Sequence, residues 1–212
     1  MQVSDLTFRF KLLFLGFLSP IFLCLGLLLS SPYWLGTNDP YQKSDVAVLE
    51  LTDVLPNRKQ LKALTNLYSK SDFKKLILVS KEDKSQNQLV GPFEIDQKVK
   101  EFLISNGIPS SQIMTLVIPA SKMGDTDEAS KNLLKLAVSD NLGSILLLTR
   151  EFEKRRVLNI YKKTLTSLPV KVTAYSFPSE ISGSNWFLSE SGTKEVSVEF
   201  VRYIYSYIRG IL

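Results

Sequence analysis

The stretch ILLLTREFEKRR, residues 145–156, indicates how the chain folds, because an apolar run ends at a threonine and a charged segment follows at once. Consecutive apolar residues are typical of a strand buried on both faces, and the charged residues after Thr149 are typical of the start of a helix. A strand that passes directly into a helix is the repeating unit of α/β folds, whose ligands bind beyond the carboxyl ends of the strands. We therefore expect Thr149, Glu153 and Arg156 to face such a crevice, with Glu153 and Arg156 paired along one helix face.

The same alternation continues through the rest of the chain from residue 45 onward. Apolar segments predict strands at 46–51, 74–80, 113–118, 144–149 and 170–175, and amphipathic segments predict helices at 57–70, 93–107, 125–143, 151–164 and 193–212. Apolar strands separated by helices are typical of a parallel sheet covered on both faces. The predicted fold class is therefore α/β, a three-layer, doubly wound, Rossmann-like domain with a mostly parallel five-strand sheet.

A segment near the amino terminus, LLFLGFLSPIFLCLGLLLS at residues 12–30, contains no charged residue. As a helix it is about 28 Å long, which matches the hydrocarbon core of a bilayer. Arg9 and Lys11 precede it, so the positive-inside rule predicts a cytoplasmic amino terminus. We expect residues 1–11 to form a cytoplasmic tail, 12–30 a single transmembrane anchor, 31–44 a linker and 45–212 an extracytoplasmic domain.

Cleavage of this segment is the alternative prediction. A signal peptidase site needs small residues at fixed positions, and Ser30 is small, but Leu28 stands two residues before it. An uncleaved anchor is therefore favoured, and a cleaved, secreted binding protein remains the alternative.

The composition excludes several kinds of site. The chain has no histidine and a single cysteine, Cys24, which excludes a Ser-His-Asp triad, an intramolecular disulfide and the usual zinc ligand sets. We predict no metal site and no cofactor. The net charge of +5 comes from scattered basic residues without interleaved aromatics, so nucleic-acid binding is not predicted.

Polar residues at the predicted carboxyl ends of the strands are the candidate ligand-binding residues. They are Glu50, Ser80, Thr126, Glu128, Thr149, Glu153 and Arg156. The first strand lacks a G-x-G-x-x-G or Walker motif, so a dinucleotide site is not expected. Asn57 with Gln60 three residues later predicts a cap at the start of the helix at 57–70, and Asp125 with Glu128 three residues later predicts a capping box at the start of the helix at 125–143.

Seven short motifs occur in a fixed order along the chain. They are DVAVLELTD (45–53), Arg58 with Ala63 and Leu67-Tyr68, LVSK (78–81), LISNGIP (103–109), Thr126 with Glu128, TREFEKRRV (149–157), and Trp186 with Glu199-Phe200. This order resembles the SanA/YdcF/ElyC-like family of bacterial proteins, whose members often carry amino-terminal membrane segments. The resemblance implies a Rossmann-like domain anchored in the bacterial cytoplasmic (inner) membrane, with a role in envelope biogenesis or maintenance.

The chain departs from the family pattern at the residues expected to bind a ligand. Glu50 replaces the glycines after the first strand, Lys81 replaces the glycine after the second, and Glu153 stands where the family has a histidine. A degenerate site predicts a non-catalytic module that binds the membrane and envelope proteins or an anionic small molecule. The alternative is an enzyme acting on a phosphate- or nucleotide-bearing envelope precursor, with Glu153 as general base and Arg156 holding the anion.

Overall fold

The strands and helices follow one another in strict alternation after the first helix. The computed structural model describes residues 3–36, 40–52, 55–82, 92–122 and 124–212. Within these ranges the helices are α1 (Val3–Leu35), α2 (Arg58–Ser69), α3 (Pro92–Ser105), α4 (Asp125–Ser139), α5 (Lys154–Thr164) and α6 (Glu190–Ile208), and the strands are β1 (Ser44–Glu50), β2 (Phe73–Lys81), β3 (Ile113–Ile118), β4 (Ser144–Thr149) and β5 (Lys171–Ser176). Short 3-10 turns occur at Ser110–Gln112 and Trp186–Leu188. Most of the loop predicted at 81–92 lies outside the described residues.

The five strands form one parallel sheet in the order β3-β2-β1-β4-β5. The predicted α/β, doubly wound, Rossmann-like fold is therefore confirmed. The connections run outward from β1 to one edge and then cross to β4 on its other side. The carboxyl ends of β1 and β4 thus form the topological switch point, where an open α/β sheet leaves a crevice.

Each face of the sheet carries its own apolar core, because successive strand residues point to opposite faces. Val48, Val79 and Leu147 pack under α4 and α5. Leu49 and Leu78 pack under α2 and α3 on the other face. This alternation along each strand determines whether a polar residue at the strand end faces the α4–α5 layer or the α2–α3 layer.

The predicted helix ends are partly confirmed. Asn57 caps α2 in a capping box, in which its Oδ1 accepts from the Gln60 backbone N–H at 2.9 Å and the Gln60 Oε1 accepts from the Asn57 N–H at 3.0 Å. The capping box predicted at Asp125 and Glu128 is wrong. Gly124, at a φ of 123°, is the residue that caps α4, and the Asp125 carboxylate instead pairs with Lys81 at 3.0 Å.

Helix α1 is long and apolar enough over Leu18–Leu35 to cross a membrane. It extends five residues beyond the predicted end of the anchor at residue 30, into the stretch expected to be a linker. Its last turn packs on the domain, since Leu35 is fully buried beside Trp186 and Val196. The Trp34 ring lies edge-on to Tyr203 of α6, with ring centroids 5.1 Å apart. The apolar helix therefore joins the domain by direct packing.

Candidate functional site

A small cavity lies at the switch point between β1 and β4. Its volume is about 50 Å³, and its polar lining comes from Glu50, Thr52, Gln60, Thr126, Thr149, Arg150, Glu153 and Arg156. A buried water needs roughly 10–15 Å³ of such volume, so the cavity has room for a few waters. Five of the seven predicted site residues, Glu50, Thr126, Thr149, Glu153 and Arg156, are thus brought together at one cavity.

Glu50, the last residue of β1, is held by two hydroxyl groups on the α4–α5 side of the sheet. Its Oε1 accepts a hydrogen bond from the Tyr161 hydroxyl at 2.8 Å, and its Oε2 accepts one from the Thr126 hydroxyl at 2.9 Å. Burial of the carboxyl group raises its pKa from 4.5 to about 7, although both hydroxyls and the charge of Arg156 act to lower it. Glu50 therefore changes charge near neutral pH.

Arg156 and Glu199 form a buried ion pair that joins α5 to α6. The Arg156 Nε and Nη2 donate to the two oxygens of Glu199 at 2.8 and 3.2 Å, a two-point contact. Glu199 is 1% exposed and Arg156 is 7% exposed. A second arginine, Arg202, donates to the same carboxylate at 3.1 Å, and the Arg156 Nη1 lies 3.4 Å from the Thr126 hydroxyl. Thr126 thereby connects this pair to Glu50 in one network.

Glu153 differs from its predicted setting. It precedes α5 as the capping residue, so it does not lie within the first turn of the helix. Its carboxylate pairs with the Arg150 guanidinium and lies 3.4 Å from the Arg150 backbone N–H. Arg156, the partner predicted from the three-residue spacing, pairs with Glu199 instead. Burial opposes ionisation of Glu153, but Arg150 and Arg156 outweigh it and lower the pKa of this carboxyl group.

Ser80 and Glu128 are not part of the described cavity. Ser80 follows Leu78 by two residues and so faces the α2–α3 layer, where its hydroxyl hydrogen-bonds the Asp96 carboxylate. Glu128 accepts a hydrogen bond from Asn132 on its own helix at 3.0 Å. These two predicted ligand-binding residues therefore lie outside the cavity at the switch point.

Two members of the network, Tyr161 and Glu199, were not predicted as site residues. Tyr161 lies five positions after Arg156, and helical periodicity alone places it on a buried face without indicating a polar partner. Glu199 lies three positions after Val196 on the inward face of α6, so the available signals were its place in the seventh motif and an acid in an apolar segment. That signal does not identify the arginine it meets.

Two larger clefts flank the cavity. One, of about 650 Å³, shares Gln60 and Arg150 with the cavity, and continues to the loop before α6. The other, of about 420 Å³, shares Thr126 and Arg156 with it, and lies between the start of α4 and α6. The charged network thus separates two open clefts from the small cavity at the switch point.

No group of three or more metal-ligating side chains occurs within the described ranges of the chain. A phosphate group at the switch point would need glycine-like access to the backbone after β1, and the Glu50 side chain fills that space.

Comparisons with known proteins add no assignment. No protein-family model matches the chain, and no curated protein matches it either. The family resemblance therefore rests on the order of the seven motifs alone.

Proposed function

We propose that this chain is a membrane-anchored, extracytoplasmic binding or interaction module of the bacterial envelope, without catalysis at the switch point. The observation that carries the proposal is the small volume of the cavity at the switch point. Ligand sites for small molecules usually enclose about 300–1,000 Å³, whereas the cavity here measures about 50 Å³.

The two arginines that line the cavity are each paired with a carboxylate of the same chain. Arg156 is matched by Glu199 and Arg150 by Glu153, so neither guanidinium is left to bind an anion. Admitting a phosphate would require breaking a buried ion pair, which typically costs about 3–5 kcal/mol. The network therefore fills the position where the family pattern that the chain resembles has glycines.

The alternative function is an enzyme acting on a phosphate- or nucleotide-bearing envelope precursor. Glu153 is a poor general base, because Arg150 holds its pKa low. Glu50 has a pKa of about 7 and is therefore the better candidate for a general base, an observation that favours the enzyme alternative. Both of its oxygens are already engaged by hydroxyl groups, which favours the structural role.

Turnover assays on the full chain in detergent micelles test the proposal. We expect no phosphate release and no glycosyl or phosphoryl transfer from nucleoside diphosphate sugars or polyprenyl phosphates. Turnover that Glu50→Gln abolishes and that Lys74→Ala leaves intact would overturn it. Lys74 is a suited control, because it lies on the surface in an exposed pair with Asp45, away from the cavity and from both clefts.

The anchor and its orientation need a separate test in cells. We expect the intact chain in the membrane fraction, with mass spectrometry recovering the original amino terminus. External protease should degrade the domain in spheroplasts while a short amino-terminal fragment remains protected. A mature chain that begins after Ser30 would instead identify a cleaved, secreted protein.

A further inference from the structure

Helix α6 is packed against the domain on one face and carries exposed apolar residues on the opposite face. Its inward face includes Val196, Glu199 and Ser206, which are buried against the domain. Its outward face presents a stripe of exposed residues, Val198, Val201, Tyr205 and Ile208, with Ile204 exposed beside it. The stripe follows the three- and four-residue spacing of one helix face. Within the described structure nothing covers this stripe, which is unusual for a helix that is already packed on its other side.

Helix α6 lies directly beside the end of the apolar helix α1. Trp34 packs edge-on against Phe200 and Tyr203 of α6, with ring centroids 6.1 and 5.1 Å apart. Ser31 and Leu35 of α1 are fully buried. Because α1 is helical up to this contact, the end of the apolar segment and α6 are held together without an intervening loop.

The distances place α6 at the level of the lipid headgroups if α1 crosses a bilayer. Trp34 lies four residues beyond Ser30, which is about 6 Å along a helix. The headgroup layer on each side of a bilayer is roughly 5–8 Å thick, and packed helices lie about 8–10 Å apart. The middle of α6 is therefore within reach of the interface.

The composition of α6 also fits a lipid surface. Residues 200–212 contain Arg202 and Arg209 and no acidic residue, together with three tyrosines. The Arg209 guanidinium lies over the Tyr205 ring at 5.9 Å from its centroid. Tyrosines with apolar and basic neighbours are typical of residues at the membrane interface, and an interfacial helix buries its apolar face about 5–10 Å into it.

We propose that the outward face of α6 rests in the headgroup region of the same bilayer that α1 spans, with Val201, Tyr205 and Ile208 in contact with lipid. This rests on the proposed membrane anchoring of α1. The partner is a lipid surface, and the domain lies against the membrane on this side. The clefts at the carboxyl edge of the sheet then open close to the bilayer.

Depth-dependent fluorescence quenching on the full chain tests this. Cys24 is replaced by serine, and a single cysteine carrying an NBD fluorophore is placed at Leu23, Val201, Ile208 or Val138. The chains are reconstituted into phosphatidylcholine–phosphatidylglycerol vesicles with or without nitroxide-labelled lipid. Val138 on α4 is the matched control, since it is 61% exposed and Val201 is 63% exposed.

Lipid nitroxide should quench the labels at Val201 and Ile208 nearly as much as the label at Leu23, and several times more than the label at Val138. Quenching at Leu23 without quenching at Val201 and Ile208 would overturn the proposal and leave the anchor intact. Labels on α6 that resist both lipid nitroxide and aqueous iodide would also overturn it, because a second copy would then cover the face. An unquenched label at Leu23 would overturn the anchor itself.

Discussion

Replacing Glu50 by glutamine is expected to change how the stability of the domain depends on pH. The pKa of Glu50 in the folded chain is about 7, against an ordinary value of 4.5. A raised pKa means that the fold favours the protonated carboxyl group, so this contribution to stability is fully present below pH 4.5 and is lost as the pH rises through about 7. At about 1.4 kcal/mol per pH unit, the loss between these limits is at most about 3.5 kcal/mol.

Glutamine at this position resembles the protonated acid. Its oxygen accepts a hydrogen bond from the Tyr161 hydroxyl, and its amide group donates to the Thr126 hydroxyl oxygen, which also accepts from Arg156. At pH 5 we expect the free energies of unfolding of the wild type and Glu50→Gln to agree within about 1 kcal/mol, because both retain two hydrogen bonds to a neutral group. At pH 8.5 the variant is expected to be the more stable by about 2–3 kcal/mol.

Urea unfolding of the full chain in detergent micelles, followed by tryptophan fluorescence from pH 5 to 9, measures this difference. Trp34 and Trp186 both report on the domain, since Trp186 is buried beside Leu35 and Val196 and Trp34 packs against this group. Asp96 and Glu195 also have raised pKa values from burial, and they titrate equally in both chains. Parallel pH profiles for the two chains would refute the role assigned to Glu50.

Three further substitutions test the other contacts of the fold. Arg156→Ala is expected to lower the free energy of unfolding by about 3–5 kcal/mol, because its buried carboxylate partner on α6 loses a counterion, whereas Lys59→Ala on the surface should cost less than about 1 kcal/mol in the same urea titration. Gly192→Ala is expected to lower the melting temperature measured by circular dichroism, because the added methyl group would overlap a backbone carbonyl oxygen of the turn before α6. Leu35→Ala should destabilise the contact between α1 and the domain by about 2–5 kcal/mol, because the Leu35 side chain is fully buried there. Limited proteolysis should then cleave the chain between α1 and the domain faster than in Leu29→Ala, a control at an exposed position.

The fold was largely predictable, because its main signals are local. The apolar run at 145–148 and the capping pair Asn57 and Gln60 act within a few residues of each other, and both appear in the structure as expected. The crevice residues followed from one further rule, that parallel strands bring their carboxyl ends to the same edge. Glu50 and Thr149 come together for this reason, although they are far apart in sequence.

The partners within the site were not predictable, because they depend on how helices pack at long range. The three-residue spacing of Glu153 and Arg156 favoured a local pair, but the first residue stays outside the helix and α6 supplies Glu199 from 43 positions further along. Ser80 lies away from the other predicted site residues for a simpler reason. The alternation along β2 turns it to the opposite face from Glu50, and the strand-end rule alone does not distinguish the two faces.

The ion pair between Arg156 and Glu199 also has a consequence for the order of events during biosynthesis. Helix α6 leaves the ribosome after all five strands. For a time the nascent domain therefore contains Arg156 without the Glu199 carboxylate that pairs with it in the folded chain. Burying the Arg156 guanidinium without a counterion costs free energy, so we expect the nascent domain not to pack tightly around it before Glu199 is present. We therefore expect the docking of α6 to be the last step of folding, and we expect quality-control proteases to degrade a chain truncated before Glu199 faster than the full chain.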